Sequence, residues 1–162
     1  MRPPRDAGSL SIHPQMTLYV WLRFLHIFGV ATFLFAHGVS GGAAFALRGP
    51  VSAHTRTLLR LSERSSFIAN AGLILLLATG VWMTFAGSWS GRVWPWAAVV
   101  VLLAVAAFMG FIANPYRYAR GAAAGPDDAL AEHLRRTRPM LALWVGAVGL
   151  VVLLVLMIFK PF

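Results

Sequence analysis

Apolar residues fill four stretches of this chain, at 17–47, 66–86, 93–113 and 139–159, and polar residues collect between them. A helix needs about 20 consecutive apolar residues to cross a hydrocarbon core, and each stretch is long enough. The connections are short, so the segments are expected to pack up-down-up-down. The pattern therefore predicts an all-α fold, an integral membrane antiparallel four-helix bundle over residues 16–162. Residues 1–15 are polar and hold three prolines. They read as a disordered tail, with Met16 the expected initiator. Ala44-Phe45-Ala46 resembles a small-residue cleavage site. The apolar run before it is much longer than the roughly 7–15 residues of a signal-peptide core, and Arg23 interrupts it early, so the segment reads as retained.

Composition agrees with a membrane chain. The 162 residues are 59% hydrophobic and 12% charged, about half the charged share of a soluble domain. Mean hydropathy is +0.72. There is no cysteine, which excludes disulfides, thiolate metal sites and cysteine nucleophiles. The net charge of +9 does not point to nucleic acid, because the cations sit at segment ends rather than on a basic domain. Thirteen of the fourteen cations are arginine, a bias of GC-rich bacterial genomes. Arg48, Arg56, Arg60 and Arg64 lie in the first loop, and Arg117, Arg120, Arg135, Arg136 and Arg138 in the third. By the positive-inside rule both loops face the cytoplasm of a bacterial inner membrane and both termini face outward. Trp89, Trp94 and Trp96 mark the opposite interface.

Smaller elements are also legible. Leu58, Leu59 and Leu61 predict a short amphipathic helix in the first loop, lying at the interface. Asn114-Pro115 ends the third segment, and Tyr116-Arg117-Tyr118 reads as an interfacial anchor. Gly121 to Pro126 marks a turn, and Pro126-Asp127-Asp128 opens a short helix.

The candidate chemistry lies on the first segment, where His26 and His37 stand eleven positions apart. Eleven residues return an ideal helix to within about 20° of the same face, about 16 Å further along. Ionisable groups at membrane depth are costly and usually functional. Neutral imidazole is an ordinary axial ligand for heme iron, and helical bundles hold such groups between facing helices. The two histidines are thus candidate heme b or metal ligands at two depths. No other histidine lies in the apolar segments, so a second axial ligand would come from methionine or from a homodimer, and ligation by a single histidine is the other alternative. Met83 and Met157 are expected level with His26, and Met109 and Met140 level with His37. The competing reading has both imidazoles bonded to helix carbonyls, Thr32, Asn70 or water. Arg23, one turn before His26, either snorkels to headgroups or pairs with a propionate. Gly38, Gly41, Gly42 and Ala43 allow close approach by a backbone or a flat ligand. Asn70 reads as interhelical glue, and His13, His54 and His133 as solvated.

The run LRFLHIFGVATFLFAHGVSGGAAFALR resembles the first helix of a bacterial membrane superfamily. That superfamily includes the copper-resistance D-like proteins, the four-helix heme-binding protoporphyrinogen oxidases and an uncharacterised branch. The shared pattern is an early histidine, Gly-Val, an aromatic residue, a glycine-rich stretch and a basic end. Here these are His26, Gly29-Val30, Phe33, Gly38 to Gly42 and Arg48. The second segment, NAGLILLLATGVWM, is most similar to the uncharacterised branch. The resemblance implies His26 as a heme ligand. It does not extend to oxidase activity, because that branch places a lysine in a later membrane helix and the lone lysine here is Lys160. His37 is outside the shared pattern and rests on geometry.

The expected function is heme b binding in membrane electron transfer or oxidoreduction. One rival is a non-enzymatic subunit or assembly factor of a larger membrane complex. Another is copper or small-solute transport with histidine and methionine as ligands. There is no phosphate-binding glycine loop, no intramembrane acid for a proton relay and no Ser/His/Asp set.

Overall fold

The computed structural model describes residues 14–161, with side chains from Thr17 onward. Every regular element there is helical: α1 (Pro14–Ala46), α2 (Ala53–Ala86), α3 (Val93–Ile112), α4 (Asn114–Gly121), α5 (Asp127–Arg135) and α6 (Pro139–Phe159), with one 3-10 turn at Ala122–Ala124. Four helices are long and apolar enough to cross a membrane: α1 from Thr17 to Ala46, α2, α3 and α6. α1 starts at Pro14, two residues inside the stretch read as a tail. Residues 1–13 lie outside the described residues.

The long helices associate in two pairs. α1 packs along its length on α2, and α3 packs on α6, while contacts between the pairs are sparse. The α1–α2 seam is built from small residues. Leu22, Gly29, Ala36 and Ala43 are buried on α1 at intervals of seven, followed by Leu47. On α2 the buried positions are Thr55, Leu59, Ser62, Ser65, Ala69, Gly72, Leu76, Thr79 and Thr84. Up to Thr79 the steps are of three and four, giving the average period of about 3.5 that keeps one stripe facing a partner helix. Apolar side chains gain nothing by leaving lipid for another helix, so the seam depends on close van der Waals packing, which small residues permit. The tightest point is a glycine pair. A Cβ on Gly29 would stand 2.9 Å from the Leu76 amide nitrogen, and one on Gly72 would stand 2.8 Å from that of Phe33. Contacts run in opposite order along the two helices: His26 meets Leu76, and Ser40 meets Ser62.

α1 and α2 have 33 and 34 residues, about 50 Å at 1.5 Å per residue, well beyond a hydrocarbon core of about 30 Å. The excess of α2 corrects one expectation. The helix foreseen in the first loop is not a separate interfacial element but the continuous N-terminal part of α2. Its Leu59 is almost completely buried, in a cluster with Leu47, Tyr116, Ala119, Leu130 and Leu134. This cluster makes a small cap from the start of α2, α4 and α5. Arg56 fastens it: Nε donates to the Ala123 carbonyl at 2.8 Å and Nη2 to Asp127 at 2.9 Å. Tyr116 is therefore a core residue of the cap rather than an interfacial anchor, whereas Tyr118 is exposed and stacks on His133. The turn after α4 and the start of α5 behind Pro126 lie where the sequence places them.

At the other end, the turn after α2 has Ser88 in the left-handed region at φ 57°. The Trp96 indole donates to the Ser90 carbonyl at 3.0 Å. The ammonium of Lys160 lies over the rings of Trp89 and Trp94, 4.5 and 5.5 Å from their centroids. Tryptophan and lysine thus gather at one end of the molecule and most arginines at the other.

Candidate functional site

His26 occupies the α1 stripe that faces α2, four residues after Leu22 and three before Gly29. Its ring is held by α2. Nδ1 lies 2.8 Å from the Leu76 carbonyl oxygen and 3.2 Å from the Thr79 hydroxyl. A carbonyl accepts only, so Nδ1 carries the proton and donates to it. Nε2 is then the ring nitrogen with a free lone pair. The Leu76 carbonyl is also the acceptor for the Thr79 hydroxyl at 3.2 Å, and that hydroxyl reaches the Leu75 carbonyl at 2.6 Å. Gly80 makes room for the ring, since a Cβ there would stand 3.1 Å from the ring carbon Cε1. Histidines that ligate metal usually donate their second N–H to a carbonyl in this way, which fixes tautomer and orientation.

His37 has different surroundings. It stacks on Phe33, with ring centroids 5.3 Å apart and planes at 18°. Its Nε2 points toward α6, 3.9 Å from where a Cβ on Gly146 would stand. The two histidines thus meet different helices: His26 is clamped to α2, and His37 faces the sparse junction with the second pair. Both are half-buried.

The other candidates are placed as follows. Met83 is half-buried on α2 and lies seven residues past Leu76 and four past Thr79, so it shares their stripe one turn beyond the His26 clamp. Met157 and Met140 are exposed, and Met109 is half-buried. Arg23 is exposed on α1. Asn70 is also exposed, so the bonds to His26 come from Leu76 and Thr79 rather than from Asn70 or Thr32. Ala43 is buried in the α1–α2 seam, whereas Gly38, Gly41 and Gly42 face open space with nothing within 4 Å of a Cβ. Among the described residues no three of His, Cys, Asp and Glu gather as a metal-binding group.

A porphyrin fits only part of this arrangement. It has no room in the α1–α2 seam at Gly29 and Gly72, where the backbones touch. The ridge at Gly38, Gly41 and Gly42 is open, with nothing within 4 Å of an added Cβ. The sequence pattern missed the Leu76–Thr79 clamp. Its signal was present as Thr79 and Gly80, a hydroxyl and a vacancy side by side on an apolar helix.

A second polar cluster lies toward the arginine-rich end. The Ser40 hydroxyl is 3.1 Å from that of Ser62 and 3.3 Å from that of Ser66, and Arg120 Nη2 reaches Ser66 at 3.5 Å. Arg120 Nε is buried without a hydrogen-bond partner among the described residues. Burial lowers the Arg120 pKa, an effect opposed by Glu63 and reinforced by Arg117.

No protein-family model, curated protein or solved structure matches the chain.

Proposed function

We propose that this is a bacterial inner-membrane protein that binds heme b through His26 and serves membrane electron transfer or oxidoreduction. In this reading the four long helices form an antiparallel membrane bundle with the arginine-rich end in the cytoplasm and both termini outside. The observation that carries the proposal is the His26 clamp. Nδ1–H is committed to the Leu76 carbonyl, so Nε2 is left as an oriented lone pair. Bound heme b would supply one-electron redox chemistry, with its potential set by the apolar helices around it. The residues of this chain orient the imidazole and exclude water. Met83, one turn along the same stripe, is the candidate for further ligation at His26, His37 is the candidate ligand of a second heme about 16 Å along α1, and Arg23 is a candidate partner for a propionate. The resemblance of the first helix to heme-binding four-helix proteins supports the same residue.

One observation favours a second reading, a non-enzymatic subunit of a larger membrane complex. Gly38, Gly41 and Gly42 form an uncovered ridge on α1, and such small-residue ridges are where transmembrane helices meet. Heme content separates the two. Pyridine hemochrome analysis of purified wild type and His26→Ala should find heme in the first and little or none in the second. Heme-free wild type that co-purifies with a stoichiometric membrane partner would favour the subunit.

A further inference from the structure

A cleft of about 620 Å³ opens at the arginine-rich end, where α1 stops and α6 starts. Its walls carry Arg48, Arg135 and Arg138 and no acidic side chain, and its apolar lining includes Leu47, Met140 and Leu141. We propose that this cleft binds the headgroup of an anionic phospholipid, with the arginines on its phosphodiester and the acyl chains running down the side of α6.

Four observations converge on that ligand. The volume suits a headgroup, since small-molecule sites span about 300–1,000 Å³. The charge is only partly compensated. Glu132 holds Arg135 at 3.0 Å but also holds Arg136 at 2.9 Å, so one carboxylate is shared by two cations while Arg48 and Arg138 add two more. An anion in the cleft would balance the excess, and guanidinium matches phosphate with paired donors. In the proposed topology, on which this inference rests, the position is interfacial. Arg138 is the residue on which α6 begins, and Met140 and Leu141 occupy its first turn, where the helix dipole is positive. Finally, the lining continues onto an apolar face of α6. Met140 and Leu141 are exposed, as are Leu143 and Trp144 beyond them on α6. A soluble phosphate would use the arginines and leave this apolar wall uncovered. A phospholipid uses both. Loop arginines that act only through topology need no shared cleft.

The test uses the full-length protein in detergent, with phosphatidylglycerol, phosphatidylcholine and inorganic phosphate as probes. Native mass spectrometry should show bound phosphatidylglycerol in preference to phosphatidylcholine. The triple variant Arg48→Gln/Arg135→Gln/Arg138→Gln should lower phosphatidylglycerol affinity by about tenfold or more. The variant Arg60→Gln/Arg64→Gln/Arg117→Gln removes the same charge away from the cleft and should bind as wild type does. The single variant Arg138→Gln should weaken binding several-fold, and it carries the test if the triple variant does not fold. Equal loss in both triple variants would overturn the proposal in favour of diffuse electrostatics. Displacement of the lipid by millimolar inorganic phosphate would overturn it in favour of a soluble anion.

Discussion

At the scale of single residues, the chemistry of this chain turns on how polar groups are satisfied away from water. His26 and Thr79 solve the problem together, by sharing the Leu76 carbonyl. Tyr116 solves it less completely. Its hydroxyl is buried in the cap without a hydrogen bond among the described residues, and burial raises its pKa above 10.0, partly offset by nearby Thr137 and the charge of Arg48. The sign of the pH effect follows. The raised value means the folded protein holds its proton more tightly than the unfolded chain does. That contribution is complete below the unfolded value of about 10 and is lost as pH rises through the folded one. Tyr116→Phe removes the titrating hydroxyl and leaves no buried partner stranded, so it should be near neutral at pH 7. Thermal unfolding in detergent at pH 8 to 11 should show wild type losing more stability than the variant at the alkaline end. Parallel curves would contradict this. The histidines were legible in the sequence because ionisable groups stand out on an apolar helix. Their partners were not, because which carbonyl a ring reaches depends on the neighbouring helix and its register.

At the scale of elements, the α1–α2 pair is held by shape. Gly29 and Gly72 let the backbones touch, and the same residue type at Gly38 touches nothing. The two sites should therefore respond oppositely. Gly72→Val forces its side chain into the Phe33 backbone and should cost about 1–3 kcal/mol, the usual range for overpacking. Gly38→Ala adds a methyl in open space and should gain up to about 1 kcal/mol from helix propensity. Melting temperatures of the two variants in detergent check this, and a loss of stability in Gly38→Ala comparable to that in Gly72→Val would contradict the packing described. The four apolar stretches announced these helices to within three residues, save where α2 runs on through the first loop. That extension was hidden because its leucines at 58, 59 and 61 fit an interfacial helix equally well. What selects the long helix is burial of Leu59 in the cap, a contact with residues some sixty to seventy-five positions away.

At the scale of the whole molecule, charge is polarised along the helices. Arginines cluster with α4, α5 and the start of α6, while Lys160 joins the tryptophans at the far end. The absence of cysteine makes orientation easy to measure. In intact bacterial cells a membrane-impermeant maleimide should label Ser90→Cys directly and Gly125→Cys only after permeabilisation. The reverse pattern would invert the proposed topology. Sequence hydropathy was enough to expect four crossings, because hydrocarbon thickness fixes helix length. It did not reveal that they associate as two pairs, since all four segments are similarly apolar and only packing detail such as Gly29 against Gly72 selects partners.

Heme ligation by His26, as proposed, is tested by a dithionite-reduced minus oxidised visible spectrum of the purified protein, expressed with ample heme. Wild type should show the sharp alpha band of a b-type cytochrome, and His26→Ala should lose it. A flat wild-type spectrum, or an unchanged band in His26→Ala, would contradict it.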